Sequence, residues 1–318
     1  MAPVNAIAMG VHVLDVLVRP VETIPEGQGG QLVDEIKMTA AGSAGGAALI
    51  LAKLEANVRS AGAVGADPLG DMLIGLLERD GVDTSLLVRR EEVQTSASVL
   101  PIRPDGSRPA FHVVGANAHY GPSDVDWNAI AAASHLHLGG PEFMGGESAA
   151  EILQRAREHG VVTSADVLAP GHMGILEWIA PALPHLDYLL PNDEQAIGFT
   201  GESDLEAACL ALVGRGVGCV AATCGADGVL LADAETVERV PAFEVDVVDT
   251  TGCGDAFSAG FLRGLALGRD RRWAAELGCA TAALVAQGLG TDYGNFDLKT
   301  VVKFAEEAPR LGAVEQGR

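Results

Sequence analysis

The sequence predicts an α/β fold built on a mainly parallel central sheet with helices on both faces. Short apolar runs typical of buried strands alternate with amphipathic stretches at helical spacing, and this alternation favours parallel strands joined by helices. The chain has 318 residues and 48% hydrophobic content, which is enough to bury a large core. We therefore predict one domain over residues 1–318, with ligands bound at the carboxyl ends of the strands.

Apolar runs bounded by turn residues mark the strands in chain order. The runs predicted as buried strands are 4–9, 58–64, 135–138, 161–164, 188–190, 219–223 and 229–231. Leucine and alanine recur at helical spacing over 69–79 and 149–157, which predicts helices there.

Two stretches interrupt the alternation, at about 12–40 and 94–119. Both carry several Gly and Pro residues between short alternating runs. Breaker residues at this density indicate hairpins or long loops outside the main sheet. The pattern alone also allows ordinary surface hairpins.

Charge and cysteine content argue against several classes of partner. A formal net charge of −22 disfavours nucleic-acid binding, because phosphate contacts rely on Lys and Arg. The chain has no apolar run of roughly 20 residues and no basic region before its first apolar run, so we expect neither a membrane span nor a signal peptide. The 5 cysteines show no Cys-x-x-Cys pairing, which favours reduced thiols and a cytoplasmic location.

Residues 249–262, which read Asp-Thr-Thr-Gly-Cys-Gly-Asp-Ala-Phe-Ser-Ala-Gly-Phe-Leu, are the most informative segment. An alternating valine run over 245–248 predicts a strand before the glycines, and an amphipathic helix follows them. The first N–H groups of a helix lack internal partners, so the Gly252, Cys253 and Gly254 amides are candidate phosphate donors. Asp255 lies within this anion site. Helix capping by Asp255 is the alternative, yet a cap does not require glycines that allow close backbone approach.

The Thr-Gly-x-Gly-Asp core of this segment resembles the second signature of the ribokinase (PfkB) family of carbohydrate kinases. The resemblance spans almost the whole chain and implies a ribokinase-like fold and an ATP-dependent kinase for a hydroxyl of a small carbohydrate. It also implies that Asp255 takes the proton from the attacking hydroxyl. The turn of Gly252, Cys253 and Gly254 is implied to be the anion hole for the transferring phosphoryl group. The family usually has Ala at the position of Cys253, and this change leaves the backbone donors in place.

The resemblance assigns the two interrupting stretches to a small β-lid that closes over the sugar. Closure has a physical reason, because it excludes water that would otherwise accept the phosphoryl group. In the family the lid often forms the dimer contact, so the resemblance implies a homodimer.

Acceptor-binding residues are assigned by the same resemblance. Asp15 matches an aspartate that accepts hydrogen bonds from two sugar hydroxyls, with a turn aspartate as the alternative. Gly46 stands where the family has a sugar-binding asparagine, and the loss of that amide puts a ribose-like or fructose-like hydroxyl pattern in doubt. Glu142 is either a sugar ligand or a solvated loop acid. The predicted substrate-binding set is Asp15, Gly42, Ser43, Gly46, Asn117, Glu142 and Asp255.

The nucleotide side is assigned likewise. Asn192 begins a segment similar to the family's Asn-x-x-Glu motif, which positions Mg²⁺ and the nucleotide phosphates. Gln195 stands at the Glu position, so the missing charge must come from Glu194 or Asp193. The implied cofactors are ATP and Mg²⁺, with Glu194 acting on the metal indirectly. The predicted nucleotide-binding set is Asn192, Thr223, Gly225, Gly228, Thr251 and Gly254.

A monovalent cation site is a further hypothesis from the resemblance. In many family members a pair of loops coordinates K⁺, mainly through backbone carbonyls. The matching residues are Asp249, Thr251, Ala283, Ala286 and Gly288. Side chains do not identify such a site, so the sequence leaves K⁺ dependence open.

Particular features distinguish the other functions. A nicotinamide-dependent oxidoreductase is disfavoured, because no Gly-x-Gly-x-x-Gly follows the first predicted strand. A nucleoside kinase of the same family is compatible with the sequence, and Phe111, Phe143 and Tyr120 are available to a purine. A catalytically silent sugar or nucleotide sensor is compatible with Gly46 and Gln195. An ADP-release assay over sugars and nucleosides separates these alternatives.

Overall fold

The computed structural model describes residues 4–104, 106–169, 171–173 and 175–311. Within them the chain forms a large sheet flanked by helices and a separate small sheet. The strands are β1 (Asn5–Gly10), β2 (Val13–Arg19), β3 (Glu35–Ala41), β4 (Asn57–Gly65), β5 (Asp83–Arg90), β6 (Ala97–Pro101), β7 (Phe111–Val113), β8 (His135–Gly139), β9 (Val162–Asp166), β10 (Tyr188–Leu189), β11 (Cys219–Thr223), β12 (Val229–Ala232) and β13 (Val237–Val240). The α-helices are α1 (Ser43–Lys53), α2 (Pro68–Arg79), α3 (Trp127–Ala131), α4 (Pro141–Met144), α5 (Gly146–Glu158), α6 (Asp193–Thr200), α7 (Leu205–Val213), α8 (Cys253–Ala266), α9 (Arg271–Val285) and α10 (Leu298–Glu307).

The large sheet has the strand order β13-β12-β11-β10-β9-β8-β1-β4-β5. All neighbours from β5 to β11 pair in parallel, and β12 and β13 add an antiparallel edge. Because parallel strands end at the same edge of a sheet, the carboxyl ends of β1, β8, β9 and β11 face one crevice. This is the mainly parallel architecture that the alternating pattern predicts.

Helices cover both faces of the large sheet with separate hydrophobic clusters. One cluster joins α1, α8 and α9 through residues such as Leu49, Phe257 and Leu277. The other joins α5 and α7 to the opposite face through residues such as Ile152 and Leu212. Full burial of one such side chain is worth about 1.5–3 kcal/mol, so these clusters fix the helices that carry the site. Among the residues that the model describes, no helix has the length and apolar character of a membrane span.

The small sheet has the order β3-β2-β6-β7, and its strands come from the two stretches that interrupt the alternation. The strand register places Asp15, Thr39, Ser98 and His112 in one cross-strand row. The adjacent row, which points to the opposite face, contains Val16, Met38, Val99 and Phe111. At these two rows the small sheet has a polar face and an opposite apolar face, while Leu17 and Leu100 on the face of Asp15 are buried in a small hydrophobic cluster.

The strand predicted over 245–248 does not form. The Val248 and Asp249 amides instead donate to the Ala286 carbonyl, at 2.8 and 3.2 Å. Val247 is 61% exposed, so the valines do not pack as a buried strand. The apolar alternation there reflects a cavity wall, because Val245 and Val247 line a cavity beside α8. The edge strands β5 and β13 were not predicted, because both alternate weakly and are only partly buried.

Candidate active site

The glycine turn at the start of α8 has the geometry that an anion site requires. Gly252 has φ 79°, and a Cβ at this position would lie 2.4 Å from Thr291 Oγ1, so only glycine fits. A Cβ at Gly254 would meet open space. The Cys253 amide donates to the Thr250 carbonyl at 3.2 Å and closes the turn. The Cys253 amide therefore has a partner within the turn, and Gly252 and Gly254 remain the candidate anion donors.

Asp255 lies in the first turn of α8, where a general base for the proposed chemistry is needed. Burial raises the pKa of this carboxyl well above its usual range, and the charges of Asp166 and Asp15 raise it further. The positive charge of Arg108 acts in the opposite direction. A base with a raised pKa accepts a proton more readily, which suits proton transfer from a hydroxyl.

Gly46 is pressed against the Asp255 carboxylate. A Cβ at Gly46 would lie 2.1 Å from Asp255 Oδ2 and 2.9 Å from its Cβ. The missing side chain at residue 46 therefore gives Asp255 its place at the helix start. Glycine in place of the family's asparagine at residue 46 thus leaves the room that the Asp255 carboxylate occupies.

We expect Gly46→Ala to lower kcat by about 10-fold or more, because Asp255 must rotate away from the added methyl group, and misplacing a catalytic group is costly. The melting temperature should change little, since the displaced atoms belong to a side chain. Steady-state kinetics with thermal denaturation tests this, and Gly75→Ala on the open face of α2 is the control. An unchanged kcat would show that Asp255 tolerates the methyl group.

Asp15 lies on the polar face of the small sheet and is 8% exposed. Burial raises its pKa to about 6, a hydrogen bond from Ser98 and the charge of Arg108 lower it, and Asp249 raises it. The charge of Asp15 also raises the pKa of Asp255, so the predicted acceptor ligand and the predicted base interact electrostatically. A hydroxyl-rich ligand between them would have an acceptor at each side.

The start of α1 lies beside Asp255 and beside Gly139 at the end of β8. Gly42 has φ 80°, and a Cβ there would lie 2.7 Å from the Val11 carbonyl oxygen. Ser43 Oγ is buried without a hydrogen-bond partner among the described residues. A buried hydroxyl of this kind favours a ligand that completes its hydrogen bonding.

Asn117 and Glu142 are both tied to the protein backbone. Asn117 Oδ1 accepts from the His12 amide at 3.1 Å, and its Nδ2 donates to the His12 carbonyl at 3.0 Å. Glu142 Oε1 accepts from the Leu168 and Ala169 amides at 2.6 and 2.8 Å. Glu142 Oε2 is buried without a partner among the described residues. Asn117 thus positions the chain after β1, while Glu142 keeps one oxygen for a ligand.

The sequence analysis missed two residues at this site, Asp166 and Arg108. Asp166 ends β9, and its Oδ2 lies 3.7 Å from His137 Nε2. Its Oδ1 is buried without a partner in the part of the chain described. The carboxyl end of a predicted strand was the signal that could have identified Asp166, as it did Glu142. Arg108 reaches the site from the loop between β6 and β7, which no local pattern indicates.

An apolar cavity of ≈ 290 Å³ opens beside the glycine turn. It brings together residues from the β11 end, the 242–247 segment and helices α8 and α9. Those that belong to the predicted sets are Thr223, Gly225, Gly228, Cys253, Gly254, Ala283 and Ala286. Asn192 pairs with Thr223 as an isolated parallel bridge next to this cavity. An apolar slot that leads to a helix N-terminus has the form that a nucleotide needs, with the base in the slot and the phosphates at the turn.

The Asn192 motif forms a reciprocal helix cap. Asn192 Oδ1 accepts from the Gln195 amide at 2.8 Å, and Gln195 Oε1 accepts from the Asn192 amide at 2.9 Å. Gln195 Nε2 also donates to the Val167 carbonyl at 2.8 Å. Glu194 is exposed at the same helix start. Among the described residues no group of three or more His, Cys, Asp and Glu side chains is placed to hold a metal ion.

The residues matched to a monovalent cation site already have partners. The Ala286 carbonyl accepts from two amides, and the Ala283 carbonyl accepts from Gln287 Nε2 at 3.2 Å. The Asp249 carboxylate accepts from the Thr251 amide and hydroxyl and from the Gly290 amide. A Cβ at Gly288 would overlap the Tyr293 ring, so this glycine serves packing. Because a carbonyl or carboxylate oxygen has more than one lone pair, these partners leave K⁺ binding at this pair of loops a prediction.

Together, the fold and the acid at a glycine-lined helix start define a class, the α/β phosphotransferases that act on a hydroxyl. The model of the pfkB family of carbohydrate kinases matches residues 11–297. The chain therefore belongs to this family, and it is a phosphotransferase with an alcohol group as acceptor.

Individual relatives agree with this assignment. The chain is 33% identical over 273 residues to the ATP-dependent ribose-1-phosphate kinase of Halopiger xanaduensis. The alignment covers 86% of this chain and 88% of the relative. It is 24% identical to the nucleoside kinase of Methanothermobacter thermautotrophicus over 301 residues, or 94% of each chain. The structure of Arabidopsis thaliana ribokinase, solved with ribose and ATP, matches at a TM-score of 0.82 and 24% identity, covering 96% of this chain and 99% of that one. The predicted ribokinase-like fold is confirmed.

Proposed function

We propose that the protein transfers the γ-phosphoryl group of ATP to a hydroxyl of a ribosyl sugar or riboside. The single observation that carries this proposal is the position of Asp255, half-buried beside the Gly252 turn and within electrostatic reach of Asp15. In this arrangement the acceptor hydroxyl lies between Asp15 and Asp255, and the phosphoryl group lies at the turn. Residues 12–40 and 94–119 act as the lid of a single domain.

Catalysis rests on placement and charge. Asp255 accepts the proton of the attacking hydroxyl, and the Gly252 and Gly254 amides bind the transferring phosphoryl group. The helix dipole favours the negative charge that develops there. Closure of the small sheet over the acceptor excludes competing water.

The nucleotide fits the apolar cavity that ends at Gly254. Thr223, Gly225 and Gly228 form its rim at the end of β11, and we assign them to the ribose and phosphates. The Thr251 hydroxyl donates to Asp249 at 2.8 Å, and this hydrogen bond holds the chain just before the Gly252 turn. Mg²⁺, when bound, would neutralise phosphate charge. We assign this metal to Asp166 Oδ1, which is buried without a partner among the described residues, and to exposed Glu194, directly or through water.

A ribosyl unit is common to the named relatives, which are kinases of ribose 1-phosphate, of nucleosides and of ribose. Asp15 and the unpartnered oxygens of Ser43 and Glu142 offer acceptors for its adjacent hydroxyls. Coupled ADP release should be measured with ribose, 2-deoxyribose, ribose 1-phosphate, adenosine, cytidine and fructose. Turnover highest on one of the ribosyl compounds supports the proposal. A preference for fructose, or no turnover on any acceptor, would contradict it.

The apolar face of the small sheet is the surface that we propose for homodimerisation. Ile36, Met38, Val99, Phe111 and Val113 are between 37% and 63% exposed on this face. Contiguous exposed apolar residues of this kind mark association surfaces.

We expect Phe111→Asp to convert a dimer into a monomer, because a buried unpaired carboxylate costs several kcal/mol. Sedimentation velocity measures the change. Leu210→Asp, at an exposed leucine on α7, is the control and should not alter the oligomeric state. A wild-type protein that sediments as a monomer, or a Phe111→Asp variant that stays dimeric, would exclude this surface.

A further inference from the structure

Arg108 connects the small sheet to the catalytic helix. It lies in the segment between β6 and β7. Its Nη2 donates to Thr250 Oγ1 at 3.4 Å, and its Nε lies 3.9 Å from Asp249 Oδ1. Thr250 and Asp249 directly precede the Gly252 turn, so a side chain from the lid reaches the edge of the anion hole.

The surroundings of Arg108 are acidic. The charge of Asp249 acts on the pKa of Asp15, and the charges of Asp166 and Asp15 act on the pKa of Asp255. Burial raises the pKa of Asp15, of Asp255 and of the Cys253 thiol, and the charge of Arg108 opposes the rise in all three. Arg108 therefore brings positive charge to the acceptor carboxylate, the base and the anion hole together.

The contacts of Arg108 with the protein are too weak to contribute much to the stability of the fold. The Arg108 side chain is 35% exposed, and its Nε lies 3.9 Å from the buried Asp249 carboxylate, which is at the outer limit of an ion pair. The hydrogen bond to Thr250 is long at 3.4 Å. A guanidinium carries 5 N–H donors in a planar fork that matches phosphate oxygens.

We propose that Arg108 binds a phosphoryl group between the lid and the Gly252 turn. The proposal rests on the proposed kinase function. The acidic site needs such a charge, because a phosphoryl group in transfer is negative and would be repelled by Asp15, Asp166 and Asp255. The Gly252 and Gly254 amides bind the group from the helix side, and Arg108 binds it from the lid side.

The phosphoryl group has two candidate sources, the γ-phosphate of ATP and a phosphate on the acceptor. We expect Arg108→Gln to lower kcat about 10²-fold with every acceptor if the group is the one transferred. If the group belongs to the acceptor, the KM for ribose 1-phosphate should rise about 10-fold or more, while kcat and KM for ribose stay near wild type. The affected constant, kcat or KM, should lie between those of wild type and Arg108→Gln in Arg108→Lys, because lysine keeps the charge but lacks the planar fork of N–H donors.

Arg103 offers a matched control in the same loop. Its Nη1 donates to Ser107 Oγ at 3.3 Å, and its side chain is exposed. Arg103→Gln should leave kcat and both KM values within about twofold of wild type. Thermal denaturation of all variants should give melting temperatures close to that of wild type.

A binding measurement separates phosphoryl recognition from loop structure. MgADP with aluminium fluoride mimics the transferring group, so with an acceptor present it should raise the melting temperature of wild type more than MgADP does. Arg108→Gln should lose this additional rise if the group is the transferred one, with the stabilisation by MgADP retained. If the acceptor supplies the phosphate, ribose 1-phosphate alone should raise the melting temperature of wild type, and Arg108→Gln should lose that rise.

Kinase activity in wild type with unchanged kinetics in Arg108→Gln would overturn the inference and leave the proposed function intact. A loss of activity that Arg103→Gln shares, or that accompanies a large fall in melting temperature, would also overturn it by pointing to loop structure. A wild-type protein without turnover on any acceptor would overturn the proposed function itself. The binding measurement would then still report whether Arg108 recognises a phosphoryl group.

Discussion

Asp255→Asn is expected to lower kcat by about 10² or more, because the acceptor hydroxyl then loses its proton acceptor. The amide keeps the size of the carboxylate and fits the space beside Gly46. We proposed that the cavity and the backbone turn make the nucleotide contacts, so the Kd of MgATP should stay within about threefold of wild type. Rapid-quench or coupled kinetics measures kcat, and calorimetry measures nucleotide binding.

The matched control is Asp246→Asn, at an exposed acid nine residues earlier in the chain. It should behave as wild type in both measurements. Near-wild-type turnover of Asp255→Asn would refute the role of Asp255 as base. An equal loss of kcat and of MgATP affinity would instead assign Asp255 to nucleotide or metal binding.

The sequence was informative where a local pattern has one physical reading. A Gly-x-Gly-Asp run before an amphipathic helix requires a strained turn, and Gly252 has the positive φ that this turn needs. The same reasoning failed over 245–248, because apolar alternation describes a cavity wall as well as it describes a strand. The parallel order of the strands was predicted from the alternation of strands and helices. The edge strands β5 and β13 are only partly buried, so their sequences lack the apolar run by which a strand is recognised.

Long-range contacts account for the remaining differences. Gly46 reads as the loss of a sugar-binding side chain, yet its contact with Asp255 shows a second role that depends on residues 209 positions apart. Gln195 reads as a lost metal charge, and in the structure it completes the cap with Asn192 and binds the Val167 carbonyl. Arg108 has no local signal, because only the tertiary fold brings the segment between β6 and β7 to Asp249.

Asp15→Asn is expected to stabilise the protein while it weakens acceptor binding. The pKa of Asp15 is raised from 3.8 to about 6, chiefly by burial. A carboxyl with a raised pKa holds its proton more tightly in the folded state, so its ionisation opposes folding as the pH rises from about 4 to 6. Above that range the folded protein bears a cost of roughly 3 kcal/mol, which the neutral amide removes.

The melting temperature of Asp15→Asn should therefore exceed that of wild type by several degrees at pH 7.5, and the difference should shrink towards pH 4. The KM for the acceptor should rise about 10-fold or more, because hydrogen bonds to a charged carboxylate are worth about 1.5–3 kcal/mol. Asp246→Asn should show neither effect. An acceptor KM that does not change would remove Asp15 from the binding site, whereas a melting temperature that does not rise would mean that Asp15 is better solvated than its 8% exposure indicates. If both effects appear, the protein keeps a destabilising buried acid at this position because the acceptor's hydroxyls require it.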